Sequence, residues 1–374
     1  MIAHIVRTLL LLSLPALAVG QSLSLSFSPP TNDNNTSTFL LESGEVEIAS
    51  NAIRFLDSGT VLDGYDALGI SSDYSVVSIL ERTGERGKIT LLNSKGSRLN
   101  AFSTVMLNND DPSLNVYPAN NGGVLLRDNI SNFTFYEREG RIAKSMSSSS
   151  QSKQGEQISQ VAMSDDRKTV VIYTPKIKRG SHFASKAQLK MANGNFKDIF
   201  YSSDRFIKAV AVSDDGNMIS VITAKGGTDD QAVIMDKYGN KLHTISADEN
   251  LVNATFSSDN EYMTLYATGR VMVHSVADGN SLGATSFGSS VFLADYYPED
   301  NLILALTGNY AEDSGVLRNV EFRAINLEQR SITSEEFSSS LGFTEMIKPK
   351  FNRSSTNSYE LIGGNKRVRI EANF

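Results

Sequence analysis

Short runs of Val, Ile, Leu, Phe and Tyr alternate with polar clusters along almost the whole chain, and inside the runs apolar and polar positions exchange every second residue. A period of two, carried by β-branched and aromatic residues, predicts strands. No stretch beyond residue 20 offers a helix of three turns. In "VAVSDDGNMISVIT" (residues 210–223) two such runs flank a Ser-Asp-Asp-Gly cluster. Ser and Asp bond neighbouring backbone N–H groups and Gly accepts a positive φ, so the cluster reads as a tight turn between two strands.

The same arrangement recurs in "LGISSDYSVVSIL" (68–80), "VAMSDDRKTVVIYT" (161–174), "ATFSSDNEYMTLYAT" (254–268) and "ADYYPEDNLILALTG" (294–308). The turn acids Asp73, Asp166, Asp215, Asp259 and Asp300 are spaced by 93, 49, 44 and 41 residues. The first gap is two periods, and "VYPANNGGVLLRD" (116–128) fills its middle; "PKFNRSSTNSYELIGG" (349–364) is a weaker last copy. Between copies lies a second hairpin motif, as in "KITLLNSKGSRLNAF" (88–102) and "AVIMDKYGNKLHTI" (232–245). Each unit therefore holds four short strands in about 45 residues, the period of a propeller blade.

These units resemble the WD-repeat, YVTN and TolB-like β-propellers as a group. The resemblance rests on the strand-Ser-Asp-Asp-Gly-strand element and on the Asp-x-x-Gly-x-x-Leu hairpin of Asp236, Gly239 and Leu242. It implies an all-β fold, a single β-propeller of seven four-stranded blades closed by an N-terminal strand, with six or eight allowed by the weaker outer copies. The closing strand is expected in "AIRFLDSGTVL" (52–62). The chain divides into a signal peptide (1–20), a mobile leader or start of the closing strand (21–45) and the propeller (46–374). Residues 28–38 and 145–157 read as flexible segments.

The signal peptide rests on His4 and Arg7 before the apolar run 9–17, with small residues at 16, 18 and 20. It predicts export to the periplasm or the exterior, and no later run is long enough to span a bilayer as a helix. Loss of Arg7 with the signal takes the net charge from −7 to −8, which argues against phosphate-mediated nucleic-acid binding. The chain has no cysteine, so disulfides, thiolate metal sites and thiol catalysis are excluded.

Taken singly, the Ser-Asp-Asp-Gly cluster could hold Ca²⁺ through oxygen ligands. Its recurrence in nearly every unit favours a turn, because a site needs its residues in one place. No cofactor or metal is therefore expected. No Gly-x-Ser-x-Gly elbow, phosphate loop or dinucleotide fingerprint is present, and none of the many acids, including those around Asp295, is singled out by spacing. The least repetitive stretch is "TPKIKRGSHFASK" (174–186), which carries Lys176, Lys178, Arg179, His182 and Lys186 between the second and third strands of a blade. The corresponding loop of the first Ser-x-Asp unit adds Arg82, Arg86 and Lys88. A basic loop on an acidic protein suits an anionic polymer, a lipid headgroup or an acidic partner. The reading is an exported, non-catalytic, monomeric propeller binding a protein or polysaccharide; the alternative is a hydrolase or lyase acting on a glycan or lactone with channel-facing carboxylates.

Overall fold

A computed structural model describes residues 21–28, 38–49, 51–106, 114–128, 132–147, 160–179, 182–191, 195–226, 229–344 and 347–374. Among the described residues there is no α-helix, only a 3-10 turn at Pro298–Asp300, and the strands form eight antiparallel sheets. Blade one comprises Thr38–Leu40, Glu45–Ala49, Ala52–Phe55 and Val61–Asp63. Blade two has Ala67–Ile70, Val76–Thr83, Arg86–Asn93 and Arg98–Val105; blade three has Asn115–Pro118, Val124–Arg127, Asn132–Tyr136 and Ile142–Ser147. Blade four has Gln160–Met163, Val170–Arg179, His182–Lys190 and Phe196–Ser202. Blades five and six run through Phe206–Val212, Met218–Ala224, Asp230–Asp236, Lys241–Ala247 and then Leu251–Phe256, Tyr262–Ala267, Arg270–Ser275, Ser281–Ser286. Blade seven has Val291–Tyr297, Leu302–Ala311, Val316–Asn326 and Ser331–Glu336. Blade eight takes Lys350–Ser355, Ser358–Ile362 and Arg367–Asn373 from the C-terminal region and Ser22–Ser28 from the N-terminal one.

The hydrophobic pattern decides where each strand lies. Second strands such as Met218–Ala224 and Tyr262–Ala267 are buried on both faces, whereas fourth strands such as Ser281–Ser286 are largely exposed. The former stand between neighbouring sheets and the latter form the outer rim. Apolar clusters join every neighbouring pair. Leu80 and Ile89 meet Val116 and Leu126 between blades two and three, and Leu125 and Phe133 meet Val170 and Ile172 between three and four. Val171 and Leu189 meet Ile219 and Val221, Ile222 and Ile234 meet Met263 and Leu265, and Val271 and Val273 meet Ile303 and Ala305. Leu304 and Phe322 meet Tyr359 and Val368, and Ile362 joins Phe39, Ile53 and Val77. The last contact ties blade eight to blades one and two and completes a ring, the β-propeller arrangement. Each fully buried Leu, Ile or Phe in these seams contributes about 1.5–3 kcal/mol.

Two sequence expectations change. The sheets number eight rather than seven, because residues 38–63 form a complete blade that lacks the Ser-x-Asp turn. Its first turn is closed instead by Leu41 N–H donating to Gly44 O at 2.8 Å. Gly44 is fixed by packing: a Cβ there would stand 2.4 Å from Ser94 O. The closing strand is Ser22–Ser28, not residues 52–62, which supply the outer hairpin of blade one. Ser22 pairs with Asn373 and Ser28 with Arg367, antiparallel and in register throughout. The region expected as a leader thus contains two strands. Residues 1–20, 29–37 and 148–159, which include the signal peptide and most of both segments read as flexible, lie outside the described residues.

The repeated acidic turn is one structure used four times. The hydroxyls of Ser71, Ser164, Ser213 and Ser257 donate to Oδ1 of Asp73, Asp166, Asp215 and Asp259 at 2.6, 2.8, 2.8 and 2.5 Å. Each Asp Oδ1 also accepts the N–H two residues on, at 2.9–3.0 Å. Each Ser Oγ accepts the N–H five residues on, at 2.9–3.1 Å. The residue after the Asp is left-handed in every copy: Tyr74, Arg167, Gly216 and Asn260, with φ of 60°, 58°, 76° and 60°. Burial raises the carboxyls of Asp73, Asp166 and Asp215, but their serine and backbone hydrogen bonds outweigh it and hold them below the ordinary range.

Candidate functional site

Antiparallel blades with parallel first strands place all strand 1–2 and 3–4 turns at one end of the ring and all strand 2–3 hairpins at the other. The basic residues singled out in the sequence belong to the hairpin end. In blades two, four and seven strands two and three are long, with eight and eight, ten and nine, and ten and eleven residues. In blades one, three, five, six and eight they have four to seven. Those three blades therefore raise hairpins above the rest.

In blade two, Thr83 pairs with Arg86 to close the hairpin. The N–H of Arg82 donates to Asp66 Oδ2 at 2.6 Å, and Lys88 Nζ meets Glu81 Oε2 at 2.6 Å. Arg86 is exposed. In blade four the supposed loop is a two-stranded extension: Arg179 pairs with His182 and Lys178 with Phe183, with a shift in register between Thr174 and Ile177. Pro175 sits at that shift, where its missing N–H interrupts no ladder. For Lys176, Lys178 and Arg179 only the backbone is described; Gly180 and Ser181 lie outside the described residues. His182 is exposed, whereas Lys186 is buried within the sheet with Nζ 3.1 Å from Asp198 Oδ1. Blade three stands between the two basic hairpins. His243 Nε2 and His274 Nδ1 each bond a backbone carbonyl, of Ala277 at 2.6 Å and of Gly279 at 3.2 Å.

At the opposite end the structure gathers charged groups that repeat spacing did not single out. Asp165 and Asp214 occupy the middle position of the Ser-x-Asp turns in blades four and five, next to the structural acids, and Asp165 N–H donates to Asp214 O at 3.0 Å. Asp295 comes from the first strand of blade seven, and Lys348 and Lys350 from the entry to blade eight. Tyr74 of blade two reaches across blade one and donates its hydroxyl to Lys348 O at 2.6 Å. Residues from five blades thus feel one another around the axis.

The electrostatics follow from crowding. Asp214 keeps exposed surface, so the burial that lifts its carboxyl is that of a crowded mouth; Asp165 adds to the rise, and Lys350 and Lys348 oppose it. Asp295 retains some accessible surface but is walled in more completely. Burial pushes its carboxyl up to about 6, and Asp214 adds to the rise against a Thr255 hydrogen bond, Lys348 and the Phe351 N–H. Burial raises Tyr74 and Tyr297 as well, with Asp165 and Asp214 adding at Tyr74, and Asp295 and Tyr359 at Tyr297. A carboxyl that titrates near neutrality beside a second acid and an ammonium can exchange a proton. Among the described residues no three His, Asp or Glu side chains are placed to share a metal ion, and no helix is long and apolar enough to cross a membrane.

The fold is similar to that of a solved structure described as the Dos1 propeller, with a TM-score of 0.57 and 11% identity, covering 92% of this chain and 95% of that one. A eukaryotic initiation factor structure follows at TM-score 0.46 and 11% identity, covering 84% and 91%. Hydrazine synthase of Kuenenia stuttgartiensis gives TM-score 0.43 and 10% identity, covering 82% and 97%. At 11% identity the first similarity speaks for the propeller architecture alone. No protein-family model matches the sequence, and no curated protein matches it.

Proposed function

We propose that this propeller is an exported, non-catalytic, monomeric binding protein that works in the periplasm or outside the cell and captures a protein or polysaccharide on its hairpin end. The observation that carries the reading is the projection of hairpins from blades two, four and seven at that one end. Residues beyond the seams between blades add little to the core, yet ordering them costs about 1–2 kcal/mol each in backbone entropy. A raised, partly basic rim offers what an anionic or acidic partner needs for steering and register. Lys186 is buried in an ion pair with Asp198, so Arg82, Arg86, Lys176, Lys178, Arg179 and His182 are the residues to test on that surface. Combined Lys176→Glu, Lys178→Glu and Arg179→Glu substitutions are expected to lower partner capture in a pull-down at least about tenfold while leaving the melting temperature unchanged. Undiminished capture overturns the hairpin assignment.

The hydrolase or lyase reading draws support from one observation, the near-neutral carboxyl of Asp295 facing Asp214 and Lys348. On that reading Asp295 is the general acid, and turnover of a panel of glycans and lactones falls by at least about 100-fold in Asp295→Asn. Lack of turnover by the native chain, or turnover that survives the substitution, removes it.

A further inference from the structure

Blade seven differs from its neighbours in its outer half. Along the pairing of Leu302–Ala311 with Val316–Asn326, Thr307 faces Glu321 but Asn309 faces Arg318, so Asn319 and Val320 together oppose Gly308. This is a β-bulge, and Asn319 sits in the left-handed region at φ 50°. Gly308 is required opposite it, since a Cβ there would lie 2.7 Å from Arg318 O. The fourth strand pairs as far as Glu336 with Glu321, and Phe337 N–H then donates to Val320 O at 2.9 Å. Residues 338–340 bow away before Leu341 and Gly342 return to pair with Leu317 and Val316. The bulge and the bow leave a groove of about 760 Å³, within the size range of ligand sites.

We propose that this groove binds a neutral oligosaccharide, an inference that rests on the reading of the chain as a binding propeller and names the polysaccharide as one of its ligands. The apolar residues beneath it, Val320 and Phe337, are 2% and 7% exposed, so it presents no aromatic or aliphatic anchor of the kind a protein hot spot or an apolar ligand requires. A peptide cannot add as a strand in the bulge, because the Arg318 carbonyl is turned toward Gly308 and Val320 O is taken by Phe337 N–H. The walls offer Ser289, Asn319, Ser338 and Ser340 with Arg318 and Glu336. Hydroxyls and an amide both donate and accept, the guanidinium only donates and the carboxylate only accepts, which matches the vicinal hydroxyls of a sugar. Among the described residues the solvent-shielded Ser289 Oγ has no hydrogen-bond partner. Glu321 is neutralised by Arg323 at 2.5 Å. Arg318 and Glu336 make no ion pair among the described residues, so the lining itself carries one cation and one anion; Lys366 beside it is held by Ser339 Oγ at 2.8 Å and lies over the Phe337 ring, which leaves no cluster of like charge to select an ionic chain.

The test is calorimetric titration of the folded chain with cellohexaose, maltohexaose and the hexamer of N-acetylglucosamine. At least one is expected to bind, and Arg318→Ala and Asn319→Gly are each expected to weaken it about tenfold. Asn319→Gly keeps the left-handed backbone while removing the amide, and an unchanged melting temperature shows that neither change acts through folding. Failure of all three glycans, binding undiminished by both substitutions, or capture there of only charged glycans or peptides overturns the proposal. The blade-four charge reversal, assayed in parallel, separates the two readings. If hairpin-dependent capture persists while no glycan binds, the groove assignment falls and the binding propeller stands.

Discussion

Deletion of Ser22–Ser28 is expected to abolish the single cooperative melting transition of the chain. These residues are the outermost strand of blade eight and are joined to Arg367–Asn373 by seven consecutive residue pairs. Their removal exposes the N–H and C=O groups of the penultimate strand along its whole length, a template for association with another copy. It also takes Leu23 out of the cluster that holds Leu302, Leu341 and Tyr359 between blades seven and eight. Leu23 is only 6% exposed, so its burial is worth about 2 kcal/mol, and each ladder hydrogen bond adds about 0.5–1.5 kcal/mol net. The sum exceeds about 5 kcal/mol, comparable with the whole stability of an ordinary domain. Circular dichroism melting and size-exclusion chromatography should show a broad or absent transition and oligomers. A synthetic peptide of residues 21–28 supplied in trans should restore the transition by refilling the edge. A deleted chain that melts sharply at the native temperature as a monomer excludes the ring closure described above.

The same strand shows what the sequence makes legible and what it hides. "SLSLSFS" alternates without a break, so its strand character is plain, but its partners lie 339 to 351 residues away, and nothing local identifies the edge it fills. Periodic turn chemistry located the blades that use Ser-x-Asp, because that turn depends on hydrogen bonds between residues two and five apart. Blade one carries no such mark for the complementary reason: its turn at Gly44 is set by tertiary packing against Ser94 O, which leaves no motif. At the channel the misleading feature was the repetition itself. Asp215 and its equivalents recur because they build turns, whereas the adjacent position holds Ser72, Asp165, Asp214 and Ser258. Acids there serve no common turn bond, and those of blades four and five lie side by side, Asp165 N–H donating to Asp214 O; Asp295, inside a first strand, has no counterpart at that position. Comparison of that middle position across copies was the available signal. The stretch 174–186 lies between strands two and three, as its sequence implies, but continues as paired strands, since Ile177 to Arg179 have ladder partners beyond the bulge at Pro175 and Lys176.

Asp295→Asn is expected to stabilise the protein by about 2 kcal/mol at pH 7.5 and to change nothing near pH 3. In the unfolded chain the carboxyl ionises near its ordinary value of 3.8, and in the channel near about 6. Between those values the native state keeps a proton that the unfolded state releases, so stability falls as pH rises through the window. Above it the native state carries a crowded charge that costs about 3 kcal/mol by the shift, a net figure that already includes the attraction to Lys348; burial of the polar amide takes back part of that in the variant. The groups that face Asp295 are Lys348, Asp214, Tyr297, Tyr266, the Thr255 hydroxyl and the Phe351 N–H. An amide oxygen in the same place still accepts from Phe351. The turn aspartates Asp73, Asp166 and Asp215 act with the opposite sign: their depressed carboxyls contribute stability above the unfolded value, which is lost on acidification. Because they are common to both chains, the difference between native and variant melting curves isolates Asp295. A variant less stable than the native chain at pH 7.5 means that Lys348 more than repays the burial, and the channel is then a structural ion pair. A stabilised variant marks Asp295 as a charge the fold retains against its own stability, the condition under which a carboxylate in a channel is worth testing for work on a ligand.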